Sequence, residues 1–220
     1  MLLYIADLLD AATLEPLKAW LSRAKFGDGR ATAGSEARKV KHNEQVGRAD
    51  PDLASMQMLV TKRLQEHHLF TMAARPKIIR PPLFSRYMPG MNYGSHVDNA
   101  LMGGMRTDLS LTVFLSSPET YEGGELIIES TSGEQDIKLP AGSAVLYPTT
   151  ALHRVSPVRS GQRLAAVTWI RSLVRDAAAR EILFDLETAR HRLSTRFGKV
   201  PELDLLSKTQ ANLLRRWVED

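Results

Sequence analysis

Two side chains of types that bind metal ions stand two residues apart in a segment that is rich in turn residues. They are His96 and Asp98, and they follow the stretch from Tyr87 to Ser95, which contains Pro89-Gly90. In an extended chain, residues two apart point to the same side, so an imidazole and a carboxylate would meet at one point. A His-x-Asp motif also arises by chance, which leaves a purely structural role open.

A third ligand of the same chemistry is available on a predicted strand. Four of the six histidines lie in a connector or in helical patterns, namely His42, His67, His68 and His191. His153 instead follows a glycine-containing turn and lies on a predicted strand that could pack beside His96. The chain has no cysteine, so a metal here needs nitrogen and oxygen ligands. Two imidazoles and one carboxylate are typical of non-haem Fe(II) sites that keep open positions.

A basic residue follows ten positions after His153. Arg163 opens a predicted strand on which it shares one face with Val167 and Trp169. An arginine inside a barrel is costly unless it meets an anion, and its planar fork matches a carboxylate. The pattern therefore predicts a bound anion, which a dicarboxylate co-substrate beside the metal would supply, whereas an outward-facing arginine on an edge strand is the alternative.

The elements that must hold these residues change character along the chain, and together they predict an α+β fold. Residues 1–77 show helical spacing, with Pro16 expected in a first helical turn, and are predicted to form a helical flank. In residues 78–173, apolar and polar residues alternate in short stretches bounded by turns. This pattern predicts strands of a sandwich or barrel. Residues 174–220 return to helix, with a last helix expected to start at Pro201.

Composition excludes several classes of protein. The 220 residues can build one good-sized core. The sequence contains no run of about 18 apolar residues, so it predicts no membrane span. The N-terminus carries Asp7 and Asp10 and lacks the features of a signal peptide, so a cytoplasmic location is expected. The formal charge is only +4, and the basic stretch Arg38–His42 is interpreted as a solvated loop rather than a nucleic-acid contact.

These motifs together resemble a known family. The chain from Leu83 to Arg171 is similar to the 2-oxoglutarate- and Fe(II)-dependent dioxygenases of the prolyl-4-hydroxylase type. The matching features are His96-Val-Asp98, His153, Arg163, the approach Tyr87-x-Pro-Gly-x-x-Tyr93, Glu122-Gly-Gly-Glu-Leu126 and the turn and strand Gly142–Pro148. With its helical tail, the whole chain most resembles the bacterial PKHD-type hydroxylases, a subgroup linked with iron uptake.

The resemblance implies a double-stranded β-helix, or jelly roll, with helices on its flanks. It also implies that His96, Asp98 and His153 ligate Fe(II), and that Arg163 pairs with the distal carboxylate of 2-oxoglutarate. Tyr87 is then expected to donate a hydrogen bond to that carboxylate, and Tyr93 and Trp169 are expected to line the pocket, although each aromatic residue could simply pack in a β core. The implied reaction is hydroxylation of a small-molecule or peptide substrate with O2, with succinate and CO2 as co-products and ascorbate as reductant.

Two other functions compete with this one. A cupin-like metal protein on a similar barrel would keep the metal ligands without using 2-oxoglutarate. A non-catalytic binding module would use the histidines structurally. Separately, the leucine-rich stripe of the last helix, which includes Leu206 and Leu213, is typical of packing on the chain's own barrel or on a second copy, which leaves a homodimer open.

Overall fold

The computed structural model describes residues 1–219. Its strands are β1 (Leu3–Ile5), β2 (Phe26–Asp28), β3 (Lys41–His42), β4 (Glu44–Val46), β5 (Pro76–Ile79), β6 (Leu83–Tyr87), β7 (Asn92–His96), β8 (Leu101–Met102), β9 (Met105–Arg106), β10 (Leu109–Phe114), β11 (Tyr121–Gly123), β12 (Leu126–Ser130), β13 (Gly133–Ile137), β14 (Ala144–Pro148), β15 (His153–Val155), β16 (Val158–Gly161) and β17 (Arg163–Ser172). Its helices are α1 (Ala11–Arg23), α2 (Ser35–Lys39), α3 (Leu53–Glu66), α4 (His68–Ala74), α5 (Ala177–Phe197) and α6 (Pro201–Trp217).

Two antiparallel sheets form the centre of the protein. The larger sheet has the order β1-β14-β10-β17-β6-β4-β2, with β5 also paired to β17, and the smaller has the order β13-β12-β15-β7-β3. An apolar cluster lies between them, because inward residues of the larger sheet such as Phe114 and Val145 contact residues of the smaller sheet such as Leu126 and Ile128. The arrangement is the double-stranded β-helix that the resemblance implied, with helices added.

The opposite face of the larger sheet carries a second, larger core. Strand β10 alternates strictly, so that Leu109, Leu111 and Val113 pack with the helices. Residues from α1, α3 and α4 cover them, including Trp20 and Phe70, which are fully buried. This arrangement leaves the other face of β10 free to place polar residues inside the β-helix.

Helix α1 begins earlier than its proline suggests. The carboxylate of Asp10 accepts a hydrogen bond from the Thr13 amide at 2.9 Å, which caps a helix that starts at Ala11. The prediction that Pro16 lies in the first turn was therefore wrong, since Pro16 is inside the helix and lacks the N–H that would bond the Ala12 carbonyl. For α6 the same rule was correct, because Pro201 is its first residue.

The N-terminal part is not purely helical. Residues 1–77 contribute β1, β2 and β4 to the larger sheet and β3 to the smaller one. Strand β3 pairs with β7 and strand β4 pairs with β6, so the chain crosses from one sheet to the other at Asn43. Within the stretch 38–42, which was interpreted as a solvated loop, Lys41 is the exception: 7% of its surface is exposed, whereas the other four residues are exposed. Strands of two or three residues carry too little periodicity to be predicted.

The C-terminal helices α5 and α6 pack against each other at the end of β17. Leu183 of α5 is fully buried with Val174 and Ala179, and Leu213 and Trp217 of α6 cover this small cluster. Within residues 1–219, the helices are all too short or too polar to cross a bilayer. The division of the chain at 77/78 and 173/174 stays a prediction.

Candidate metal centre

Three potential ligands converge between the two sheets. His96 ends β7, Asp98 follows it, and His153 begins β15, which pairs with β7 so that the two histidines lie opposite each other. One ligand atom from each of the three side chains lies within 4.8 Å of the other two. The His153 Nε2 atom is 3.8 Å from the Asp98 Oδ2 atom, and both side chains are at least nine-tenths buried. The sequence prediction that these residues meet is reproduced in the fold.

Backbone carbonyls orient both imidazoles. The Nδ1 atom of His96 lies 2.9 Å from the Gly94 carbonyl oxygen, and the Nδ1 atom of His153 lies 3.0 Å from the Ala151 carbonyl oxygen. A carbonyl can only accept, so each Nδ1 carries a proton, and in the neutral tautomer with this proton Nε2 is the atom with the free lone pair. This is the tautomer that a metal ion requires of a histidine ligand bound through Nε2.

The carboxylate of Asp98 is oriented by a residue that the sequence analysis did not single out. The hydroxyl of Ser110, on β10, donates a hydrogen bond to Asp98 Oδ2 at 2.6 Å. Ser110 is fully buried and faces the interior of the β-helix. The sequence shows only that Ser110 and Thr112 alternate with Leu109, Leu111 and Val113, which places the serine on the face opposite these apolar residues but does not identify Asp98 as its partner.

The environment of His96 favours the neutral ring. Burial, reinforced by the nearby His153, lowers the pKa of His96 to about 4. The ring of Tyr93 stacks on His96 with centroids 3.7 Å apart. Burial also raises the pKa of Tyr93, and the Asp98 charge adds to the shift. Near neutral pH the histidine is thus an uncharged nitrogen donor beside a protonated phenol.

Arg163 is a buried cation without a carboxylate partner. It is 2% exposed, its Nε atom has no hydrogen-bond partner, and it forms no salt bridge within residues 1–219. Its guanidinium carbon lies 5.1 Å from the ring centroid of Tyr87 and 5.5 Å from that of Phe114. Because an unpaired buried charge is costly, the guanidinium is poised for an anionic ligand.

A glycine makes room for this arginine. Gly124 has a φ of +66°, and a Cβ atom there would lie 3.0 Å from the Cδ atom of Arg163. The preceding Gly123 also has a positive φ, and a Cβ there would lie 2.1 Å from the Pro157 carbonyl oxygen. Gly123 and Gly124 are therefore needed for their backbone conformation and for the close approach of Pro157 and Arg163.

The three aromatic candidates lie on the same cavity as the metal-binding side chains and Arg163. Tyr87 is 4% exposed and opposes Arg163 across the β6–β17 pair. Burial raises the pKa of Tyr87, against the opposing charge of Arg163. The indole Nε1 atom of Trp169 is buried without a hydrogen-bond partner. All seven residues singled out from the sequence thus line one cavity.

The N-terminal strands supply a further wall that the sequence analysis missed. Lys41, Asn43 and Gln45 are buried on alternate positions and line the cavity. The Lys41 Nζ atom donates a hydrogen bond to Thr32 Oγ1 at 3.1 Å and lies 5.1 Å from the ring centroid of Tyr93. Burial lowers the pKa of Lys41 to about 8, although the charges of Asp98 and Asp28 oppose this.

The donor set fits a ferrous ion. Two imidazole nitrogens and one carboxylate occupy one side of a metal and leave other positions open, and no thiolate is present to favour a softer metal. The buried Arg163, whose Nε atom has no hydrogen-bond partner and which forms no salt bridge within residues 1–219, fits the distal carboxylate of 2-oxoglutarate in the same way. Fe(II) and 2-oxoglutarate therefore each match side chains whose ligand or hydrogen-bonding atoms are not fully used within the protein.

Comparison with known proteins agrees with the site. The sequence profile of the 2OG-Fe(II) oxygenase superfamily matches residues 82–171. A PKHD-type hydroxylase of Synechococcus elongatus is 54% identical, and one of Picosynechococcus is 51% identical, each over 100% of both chains. The crystal structure of a Pseudomonas putida prolyl-4-hydroxylase has a similar fold, with a TM-score of 0.53 and 21% identity over 78% of this chain and 92% of that one.

The full-length identity shows the family, and the structural neighbour shows the fold. The resemblance inferred from His96, Asp98, His153 and Arg163 is thereby confirmed. The chain belongs to the PKHD-type hydroxylases of the 2OG-Fe(II) oxygenase superfamily and is a 2-oxoglutarate-dependent Fe(II) dioxygenase.

Proposed function

We propose that this enzyme hydroxylates a C–H bond of a small-molecule or peptide substrate, with succinate and CO2 as co-products. The proposal rests on one observation: ligand atoms of His96, Asp98 and His153 lie within 4.8 Å of one another beside the buried, unpaired Arg163. When bound, Fe(II) with 2-oxoglutarate and O2 supplies the oxidising chemistry. The chain's own part is to hold ligands, orient substrates and exclude water.

In this proposal His96 and His153 bind iron through Nε2, and Asp98 binds it through its carboxylate. The carbonyls that accept from each Nδ1 keep both rings in the required tautomer. The hydrogen bond from Ser110 holds one carboxylate oxygen of Asp98, which limits rotation of the ligand. A set of two imidazoles and one carboxylate would leave positions on the metal ion for the keto acid end of 2-oxoglutarate.

The distal carboxylate of 2-oxoglutarate is assigned to Arg163, with the Tyr87 hydroxyl as a second donor. A guanidinium binds a carboxylate through two parallel hydrogen bonds, and burial strengthens the pairing. Tyr93 and Trp169 are assigned to the pocket wall, where they exclude water from the reacting groups. A cupin-like protein would need the metal ligands but not the buried Arg163, so this residue favours the 2-oxoglutarate enzyme.

The test is anaerobic addition of Fe(II) and then 2-oxoglutarate, followed by the weak visible charge-transfer band of the chelate. We expect the band in the wild type and in the control His191→Ala, which removes an exposed histidine of α5, but not in His153→Ala. We expect Arg163→Met to weaken 2-oxoglutarate binding while iron binding stays intact. Arg159→Met, an exposed arginine of β16, is the matched control.

Each other outcome contradicts a defined part of the proposal. Iron binding without the band in the wild type would favour the cupin-like alternative. A normal band in His153→Ala would refute the ligand assignment. Near-normal succinate formation by Asp98→Ala in air would refute the role of the carboxylate.

Four further assignments are proposals of the same kind. Ascorbate is proposed as the reductant that keeps the iron ferrous, and a connection with iron uptake is proposed from the resemblance to the PKHD-type subgroup. A homodimer through α5 and α6 is proposed because Ile182, Phe197 and Leu205 are 50%, 55% and 60% exposed there. Light scattering on the purified protein would test it. The cytoplasmic location stays a prediction.

A further inference from the structure

We propose that the wall built by β3 and β4 is an anion subsite for the primary substrate, in which Lys41 and Asn43 bind a carboxylate that the substrate carries. The inference rests on the proposed function and deepens it, because it names a chemical feature of the unknown substrate. It concerns residues that the catalytic assignment leaves unused.

Lys41 is a buried cation on the wall of the cavity. Its side chain lines the cavity that holds the metal-binding residues, and only 7% of its surface is exposed. It donates one hydrogen bond, to Thr32 Oγ1 at 3.1 Å, and forms no salt bridge within residues 1–219. An ammonium group has three donors, so two remain for a ligand. A buried lysine in a cavity without a direct carboxylate contact is costly unless an anion binds it.

The charges of the site loaded with Fe(II) and 2-oxoglutarate balance without Lys41. Asp98 and the two carboxylates of 2-oxoglutarate carry three negative charges, and the ferrous ion with Arg163 supplies three positive charges. Lys41 is then left without a counter-charge from the site. Besides Asp98, the carboxylate of Asp28 also raises the pKa of Lys41. Arg30 already binds Asp28 through two nitrogens. One negative charge on the substrate would complete the balance.

Asn43 places a buried amide group on the same wall as Lys41. It is 3% exposed, and its side-chain nitrogen and oxygen form no hydrogen bond of normal geometry within residues 1–219, although its proximity to the Tyr87 hydroxyl opposes the rise that burial causes in the pKa of that phenol. Gly29 lies so close that a Cβ atom there would be 2.0 Å from Asn43 Oδ1. A buried amide without partners carries a desolvation cost that a ligand can remove. Its N–H group can donate to the same carboxylate as Lys41, and its oxygen can accept from an adjacent N–H or O–H group.

The test uses acetate as the carboxylate probe and acetamide as its neutral isostere. The anaerobic complex with Fe(II) and saturating 2-oxoglutarate is titrated with each probe at constant ionic strength, and the melting temperature and the charge-transfer band are recorded. We expect saturable stabilisation by acetate and none by acetamide. In Lys41→Met, acetate binding should weaken by at least about tenfold, because the variant removes the charged partner of a buried pair.

Two variants control for indirect effects. Lys39→Met removes a charge two residues away, where the lysine pairs with Glu36 at the surface, and should bind acetate like the wild type. Lys41→Arg keeps the charge and should retain most of the acetate response. Affinity for 2-oxoglutarate should change by less than about twofold in Lys41→Met, whereas Arg163→Met weakens it strongly.

Three results would overturn the inference. Equal responses to acetate and acetamide would mean that the subsite does not select for charge. An unchanged acetate response in Lys41→Met would place the anion on the metal or on Arg163. A loss of 2-oxoglutarate affinity in Lys41→Met equal to that in Arg163→Met would assign Lys41 to the co-substrate. Failure of the proposed function is distinguishable from these results, because the wild type would then show no charge-transfer band at all.

Discussion

Removal of the buried charge at position 41 should stabilise the metal-free protein. Lys41 is 7% exposed, and burial lowers its pKa from 10.5 to about 8 even though Asp98 and Asp28 attract the ammonium group. The folded protein therefore holds this charge at a cost. A methionine of similar length fills the same space without a charge, so Lys41→Met removes the cost and loses little packing.

The size of the effect follows from the pKa difference. The unfolded chain binds the lysine proton more tightly than the folded protein does, so the cost is fully present below pH 8 and disappears above the unfolded pKa of 10.5. Each pKa unit corresponds to about 1.4 kcal/mol, which gives a gain for Lys41→Met of about 3 kcal/mol at pH 7, about 2 kcal/mol at pH 9 and less than about 1 kcal/mol at pH 10.

Urea unfolding of the metal-free wild type and variant at these three pH values measures the difference. Groups that titrate in both proteins cancel, because only the difference in the free energy of unfolding is used. Lys39→Met, at an exposed lysine, should differ from the wild type by less than about 0.5 kcal/mol at every pH. A Lys41→Met protein that is less stable than the wild type at pH 7, or a gain that does not shrink as the pH rises, would show that the buried ammonium group does not destabilise the folded protein.

Three further changes test the supports of the site and of the tail. Ser110→Ala removes the 2.6 Å hydrogen bond to Asp98 and should weaken Fe(II) binding by about 10- to 100-fold in an anaerobic titration; an unchanged affinity would show that Asp98 needs no such support. Gly124→Ala places a Cβ atom 3.0 Å from Arg163 at a φ of +66°, so it should cost about 1–2 kcal/mol in urea unfolding and weaken 2-oxoglutarate binding. Normal 2-oxoglutarate affinity there would mean that Arg163 tolerates displacement. Leu183→Ala empties a fully buried position beneath α6 and should cost about 2–5 kcal/mol of unfolding free energy; a cost near zero would mean that the C-terminal helices pack independently of it.

The residues that the sequence did predict share a physical property. His96 and Asp98 are two positions apart next to a strand, and Arg163, Val167 and Trp169 follow the same period along β17. Strand alternation places such residues on one face regardless of the rest of the fold. His153 could be selected because the other histidines lie outside the strand pattern of residues 78–173. Spacing therefore carried most of the information about these residues.

The residues that were missed depend on contacts between distant segments. Ser110 matters only because β10 faces Asp98 across the interior, a contact that no local pattern reveals. Lys41 lies on a strand of two residues and Asn43 lies in the crossing between β3 and β4, and polar residues directed inward do not produce an apolar period. Pro16 led to a wrong prediction of where α1 begins. Proline prefers the first turn of a helix, but in α1 it is tolerated in the interior.

The proposed metal site and the proposed anion subsite lie on different segments of the chain. Residues 82–171, which match the superfamily profile, contain the three proposed metal ligands and Arg163. The anion subsite lies outside this range, on the crossing from β3 to β4 that closes the cavity between β7 and β6. A substitution in this crossing can change which substrate binds without moving the groups that hold iron and 2-oxoglutarate. Variants of Lys41 and Asn43 should therefore alter substrate affinity while the charge-transfer band stays intact, and a band lost together with substrate affinity would show that the wall and the metal centre are not separable.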